Sequence, residues 1–335
     1  MAAIYQVTDM HTAGEPVRIV TAGYPPLVGD TILAKRRFVR ENLDHIRRRL
    51  MLEPRGHAEM YGVIPTTPSH PDCALAVLFM HNSGYSTMCG HATIAIGRWA
   101  VEQGLVKATP PVTRFNLECP CGPVAVSVAS DMTVSFESVP AFVERRDDAL
   151  AMPEKADVAF DIAYGGAFYA ILPASRLGLD VHTTPAGELR TAALTVMRAI
   201  RARGAVHHPT EPELSFLYSA ILTDDAWEPS RHLCVFGEGQ IDRSATGSGV
   251  TARLAVDAAR GRIAPGGRRT FAGASGVPFH AELLTAETLG PHRAWRVRVS
   301  GSASYSGNAS WTVEDADPLR DGFSIDDMAS LPIRN

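Results

Sequence analysis

The sequence predicts an α+β chain in which one strand–turn–helix unit is used twice. Cys89 superposes on Thr246 at an offset of 157 residues, and the same offset carries Gly104 onto Gly261 and residues 76–79 onto 233–236 without a gap. Each copy reads as an apolar strand, a glycine-bearing turn, an apolar helix and a glycine just past the last helical residue, where a left-handed C-cap costs least. Around both copies lie more short alternating runs than parallel α/β connectivity would supply.

Taken in order, residues 4–8 and 17–21 alternate as strands and are joined by the polar turn His11-Thr12-Ala13-Gly14-Glu15-Pro16, so a hairpin opens the chain. Asp30 stands as N-cap to one helix over 31–51, with Ile32, Leu33, Phe38, Leu43, Ile46 and Leu50 at helical spacing, stopped by Glu53-Pro54-Arg55-Gly56. The first signature unit spans 75–106, and strands at 124–128 and 133–136 follow it. The charged, Pro-containing stretch 140–155 reads as an interdomain linker. Beyond it, 158–163 and 167–172 form a strand pair about Gly165-Gly166, 185–203 a helix and 215–223 a strand. After the second signature unit come short strands, among them 295–299 and 309–313. The expected domains are residues 1–155 and 156–314, with a tail, 315–335, packing back on the first.

At 335 residues, with 45% hydrophobic and 20% charged residues, the chain is long enough for two domains of about 150 residues. Net charge −4 and a pI near 6.3 supply no basic field for nucleic acid. The one basic run, Arg47-Arg48-Arg49, reads as a solvated helix face. No stretch reaches the ~20 apolar residues of a membrane span, and no signal-peptide pattern opens the chain, so a cytoplasmic protein is expected. The five cysteines, Cys73, Cys89, Cys119, Cys121 and Cys234, have no framework spacing, which suits a reducing compartment. Cys119-Pro120-Cys121, without a second pair or nearby histidines, reads as strand-end filler rather than a metal site. A homodimer is compatible with this organisation.

Chemistry concentrates in the two turns. A helix that starts after a glycine-bearing turn exposes unpaired N–H groups and the positive end of its dipole, so two such starts facing each other would hold a small carboxylate. Cys89 lies at one start, where the dipole is expected to lower a thiol's pKa and prepare a base or nucleophile. His91 reads either as a local cap or as a partner that carries a proton. Asp242, the carboxylate of the second turn, reads as a cap or as the counter-charge to a ligand amine. Two N–H cradles and one carboxylate fit an α-amino acid.

Met88-Cys89-Gly90-His91 and Asp242-Arg243-Ser244-Ala245-Thr246-Gly247-Ser248-Gly249 resemble the two active-site signatures of the proline racemase family. Supporting matches are residues 9–16, 53–57 and 164–169, Asp317-Pro318-Leu319, and Gly322-Phe323. The resemblance implies two pseudo-symmetric domains like those of diaminopimelate epimerase, each a β-barrel-like sheet around a central helix, with the substrate between them. It implies that Gly90, His91, Gly247 and Ser248 bind the substrate carboxylate, that Asp242 binds the ring nitrogen, and that no cofactor takes part.

Racemases and epimerases of that family carry a second thiol where this chain has Thr246, and Ala245 replaces the usual Pro. A threonine hydroxyl is too weak an acid to exchange protons near neutral pH, which disfavours two-base inversion. The Cys89/Thr246 pair resembles the trans-3-hydroxy-L-proline dehydratases, hydro-lyases giving Δ2-pyrroline-2-carboxylate and then its Δ1 tautomer. The rival readings are a proline racemase or 4-hydroxyproline 2-epimerase, and, more distantly, a cysteine hydrolase or a non-catalytic amino-acid-binding protein.

Overall fold

The computed structural model describes residues 2–151 and 157–325. The expected domain boundary at 155/156 and the end of the tail, 326–335, lie outside the described residues. The first half of the chain runs β1 (Ala3–Thr12), β2 (Glu15–Ala22), α1 (Ile32–Asn42), α2 (Asp44–Met51), β3 (Tyr61–Thr66), β4 (Leu75–His81), β5 (Gly84–Ser86), α3 (Gly90–Glu102), β6 (Val112–Cys119), β7 (Gly122–Ala129) and β8 (Val134–Glu137). The second runs β9 (Ala141–Leu150), β10 (Val158–Tyr164), β11 (Phe168–Pro173), α4 (Ala186–Arg203), β12 (Leu217–Thr223), β13 (Ser230–Phe236), β14 (Gln240–Asp242), α5 (Gly247–Ala259), β15 (Arg268–Ala272), β16 (Pro278–Leu289), β17 (His292–Gly301) and β18 (Ala303–Val313).

The duplication governs the topology. In each half an antiparallel hairpin, β1–β2 or β10–β11, is followed by a helical crossover, α1–α2 or α4, into a parallel neighbour, β3 or β12. An antiparallel strand, β4 or β13, then leads through a short return strand into the signature helix and on to the parallel strand β6 or β15. In the second half, β9-β10-β11-β12-β13-β15-β16-β17 closes on itself through β17–β9, an eight-stranded barrel among the described residues. The first half is a matching curved sheet, β18-β1-β2-β3-β4-β6-β7-β8.

Helices α3 and α5 are buried on nearly every side, as helices threaded through a sheet-lined core must be. Both end as the repeat requires, with Gly104 at φ +71° and Gly261 at φ +68°. A second apolar cluster packs Val39, Ile46, Leu50 and Met51 of α1–α2 on Ile64, Leu78 and Met80 of the sheet.

Several sequence expectations change. The helix over 31–51 is two helices broken at Leu43, and its N-cap is Thr31, not Asp30; the Thr31 hydroxyl accepts from the Ala34 amide at 3.1 Å. Within the stretch expected to be a linker, residues 152–155 lie outside the described residues, and residues 141–150 are β9, paired with both β10 and β17. Its charges sit in exposed ion pairs, Asp147 with Arg260 and Asp148 with Arg203, so polarity does not signal absence of structure here. The strands after Gly261 are long, up to 12 residues in β16. The return to the first half comes before 315, since β18 pairs with β1. Nor is the basic run a solvated face: the buried Arg47 binds Asp44 and the carbonyls of His81 and Asn82. Arg49 pairs with Asp321, and Arg55 with Asp317, of the tail.

Candidate active site

The two signature helices meet start to start. A Cβ built on Gly90 would stand 2.5 Å from the Cα of Gly247, and one on Gly247 would stand 2.9 Å from the Cα of Gly90. No side chain fits there, which is why glycine opens both helices. The contact sets two N-terminal turns, with their unpaired amides and positive dipole ends, around one volume.

Each half's hairpin reaches across to the other signature. Glu15, at the start of β2, accepts the Arg243 amide at 2.8 Å, and the Thr87 hydroxyl donates to the carbonyl of Gly166 at 2.7 Å. Gly165 passes so close to α5 that a Cβ would lie 2.2 Å from the Ser248 carbonyl oxygen.

The cavity between the helix starts is lined by Cys89, Gly90, His91, Asp242, Thr246, Gly247 and Ser248, all seven of the residues singled out from the sequence. Tyr61, Met88, Tyr169, Tyr218, Cys234 and Phe236 complete its wall. Of these, Met88 and Tyr169 lie inside family-matching stretches. Cys234 and Phe236 lie in the strand that the 157-residue offset matches to 76–79, whereas Tyr61 and Tyr218 come from strands whose sequence carries no signal toward a site. The free volume is about 10 Å³, near the ~10–15 Å³ that a single water requires. A five-membered ring does not fit that space, so its entry requires the wall to move.

The two N-caps are not alike. Cys89 is extended, at φ −147° and ψ 110°, and its Sγ accepts the Ala92 amide at 3.3 Å. Thr246 is left-handed, at φ +51° and ψ 81°, and leaves its own helix uncapped. Its hydroxyl donates to Asp242 Oδ2 at 2.8 Å, while Asp242 Oδ1 accepts the Ser244 amide at 2.8 Å. Asp242 therefore does brace its turn, and it also faces the His91 ring, 4.0 Å from Nδ1.

His91 Nδ1 lies 3.1 Å from the Cys89 sulfur, and the ring also hydrogen-bonds the Pro16 carbonyl. Burial lowers the His91 pKa to about 4, so the imidazole is neutral near pH 7. The expected low thiol pKa of Cys89 is not found. Burial pushes it up, and the charges of Asp242 and Glu15 add to that, against the Ala92 amide and the Tyr61 hydroxyl, which pull it down. In this closed, desolvated state the helix start does not outweigh the loss of water. Cys234 is likewise held up, at about 12, and its sulfur contacts the Ser219 hydroxyl at 2.9 Å. All five cysteines are free, and among the described residues no His/Cys/Asp/Glu group has metal-binding geometry.

The arrangement offers a cradle for a carboxylate, an anion for a cation beside it, a thiol, Cys89, at one helix start only, and a second thiol, Cys234, in the wall. The family model for proline racemase matches residues 7–324. A trans-3-hydroxy-L-proline dehydratase of Homo sapiens is 49% identical, over 96% of this chain and 95% of that one. A 3-hydroxyproline 2-epimerase of Burkholderia multivorans is 40% identical, over 95% of this chain and 97% of its own. Among solved structures, a hydroxyproline epimerase from Agrobacterium vitis with bound trans-4-hydroxy-L-proline superposes with a TM-score of 0.92 at 26% identity, covering 97% of this chain and 96% of that one.

Proposed function

The chain belongs to the proline racemase family, and from that premise we propose that it is a hydro-lyase removing water from trans-3-hydroxy-L-proline. The observation that carries the reading is the unequal pair at the two helix starts: a thiol at Cys89 and, at the equivalent turn, a threonine whose proton is bonded to Asp242. Relatives 46–49% identical over nearly the whole chain that are named as this dehydratase support it.

In this reading the substrate carboxylate lies between the helix starts, on the amides of Gly90, His91, Gly247 and Ser248, and the ring ammonium pairs with Asp242. Its positive charge offsets one of the anions that hold the Cys89 thiol neutral, so substrate binding favours the thiolate. Cys89 then takes the α-proton. The electron pair spreads into the carboxylate, which the two dipole ends stabilise as it gains charge. Expulsion of the C3 hydroxyl gives Δ2-pyrroline-2-carboxylate, which tautomerises to the Δ1 imine. Thr246 holds Asp242 in place and puts a hydroxyl where Cys89 has its thiol, while Cys234, the second thiol of the wall, is held neutral by burial with its pKa up at about 12. In this reading no cofactor takes part and the enzyme works in the cytoplasm, a reducing compartment that five unpaired cysteines suit; no helix among the described residues is long and apolar enough to cross a membrane.

The test is incubation with trans-3-hydroxy-L-proline, trans-4-hydroxy-L-proline and L-proline while imine formation and optical rotation are followed together. Imine from the 3-hydroxy substrate alone, without inversion of the others, is expected. Rapid inversion of proline or 4-hydroxyproline would instead make this chain a racemase or epimerase.

A further inference from the structure

The dehydratase reading leaves open which group protonates the departing hydroxyl, a poor leaving group as hydroxide. We propose that Cys89 serves twice in each turnover, returning to the C3 oxygen the same proton that it has taken from Cα.

The argument begins with the substrate. In trans-3-hydroxy-L-proline the hydroxyl is trans to the carboxylate, and the α-hydrogen occupies the other position on C2. The α-hydrogen and the hydroxyl therefore share one ring face. A base placed to take the first is on the same side as the second, and an acid on the Thr246 side faces the wrong way.

The hydrogen bonds agree. On the second-half side, the Thr246 proton is donated to Asp242 at 2.8 Å, the Ser248 and Tyr169 hydroxyls bond each other at 2.6 Å with either as donor, and the Cys234 sulfur lies 2.9 Å from the Ser219 hydroxyl. On the Cys89 side, the sulfur is fixed by the Ala92 amide and flanked by the neutral rings of His91 and Tyr61. Burial makes the neutral thiol its stable form and keeps His91 a poor proton acceptor. A proton taken from Cα therefore stays on sulfur until a stronger base arrives, and the oxygen leaving C3 is that base.

The steps balance without a co-reactant. The Cys89 thiolate forms an S–H bond as the Cα–H pair passes into the carboxylate-stabilised carbanion. That pair then closes the C2–C3 double bond as the C3–O bond breaks. The oxygen takes the proton from sulfur, which releases water and restores the thiolate. One thiol completes the cycle, so the second half needs none.

The proposal rests on the dehydratase reading and is tested with four substrates, the trans and cis isomers of 3-hydroxy-L-proline and of 3-fluoro-L-proline. Fluoride leaves without a proton, so the fluoro pair measures binding and α-proton removal alone. Expected are water loss from the cis alcohol at least ~100-fold slower than from the trans, the lower range for a positioned acid, fluoride release from the two fluoro isomers within about tenfold of each other, and loss of all release in Cys89→Ala. Dehydration of the cis alcohol within about tenfold of the trans overturns the proposal, as does a cis fluoro substrate as slow as the cis alcohol, because binding would then explain the discrimination. Tyr61→Phe is the second variant: losing water elimination while keeping fluoride release would make Tyr61 the acid and overturn the proposal too. No water loss from the trans alcohol would instead overturn the dehydratase reading itself.

Discussion

Replacing Asp242 with Asn separates the two roles its geometry allows. The asparagine oxygen can still accept from the Ser244 amide, and its NH2 can donate to the Thr246 hydroxyl, which turns to accept, so the turn keeps its form. What disappears is the charge. If that charge pairs with the ring ammonium, the loss is that of one charge-assisted hydrogen bond, about 1.5–3 kcal/mol, or roughly a 10- to 160-fold fall in kcat/KM. A second effect has the opposite sense. Asp242 is among the charges that raise the Cys89 pKa, so its removal brings the thiol down, and the rise of kcat/KM with pH moves to lower pH. Following imine formation from about pH 6 to 10 in wild type and Asp242→Asn reads both effects. A variant with unchanged kcat/KM and an unmoved pH limb would return Asp242 to a purely bracing role and refute the pairing.

Cys89→Ala should abolish turnover with little change in thermal midpoint, whereas Cys73→Ala, buried away from the cavity wall, should leave turnover intact; an active Cys89→Ala would end the mechanism. Gly90→Ala places a methyl carbon 2.5 Å from the Gly247 Cα and should cost ~1–3 kcal/mol in urea unfolding together with most activity. A stable, active Gly90→Ala protein would show that the helix starts have room to part. Glu15 is fully buried with its Oε1 unpartnered, and burial, then Asp242, raises its pKa well above the usual range. A folded carboxyl that keeps its proton while the unfolded one releases it makes stability fall as pH rises above the unfolded value, about 4.3. Unfolding free energy should therefore decline more steeply with pH in wild type than in Glu15→Gln, until Glu15 itself ionises, and parallel slopes would contradict the assignment.

What could be read in the sequence was whatever repeats at fixed spacing. The offset relating Cys89 to Thr246 located both central helices and the glycines that close them, because helix starts and glycine caps are local chemistry, while Gly90, His91, Gly247 and Ser248 came from the resemblance to the family's signatures. The aromatic wall was not legible. Tyr61, Tyr218 and Phe236 are single positions in apolar strands, and what turns them toward the site is sheet closure over long sequence separations. Residues 141–150 misled because exposed charges on a paired strand look like a polar connector. The state of the Cys89 thiol was missed for a related reason: dipole direction follows from sequence, whereas the extent of desolvation follows from how tightly two distant segments close.

The left-handed backbone at Thr246 sets two kinds of selection against each other. A β-branched residue held there stores strain of order 1–3 kcal/mol, which glycine would not carry and asparagine would carry less of. Neither replacement offers Asp242 the same hydroxyl. A library randomised at this position and sorted only by survival of heating should therefore drift toward glycine and asparagine, while one sorted by growth on the substrate as sole nitrogen source should keep threonine. Thr246, which stands where the resemblance leads one to expect a second thiol in a racemase, is thus a residue that heat tolerance alone would discard.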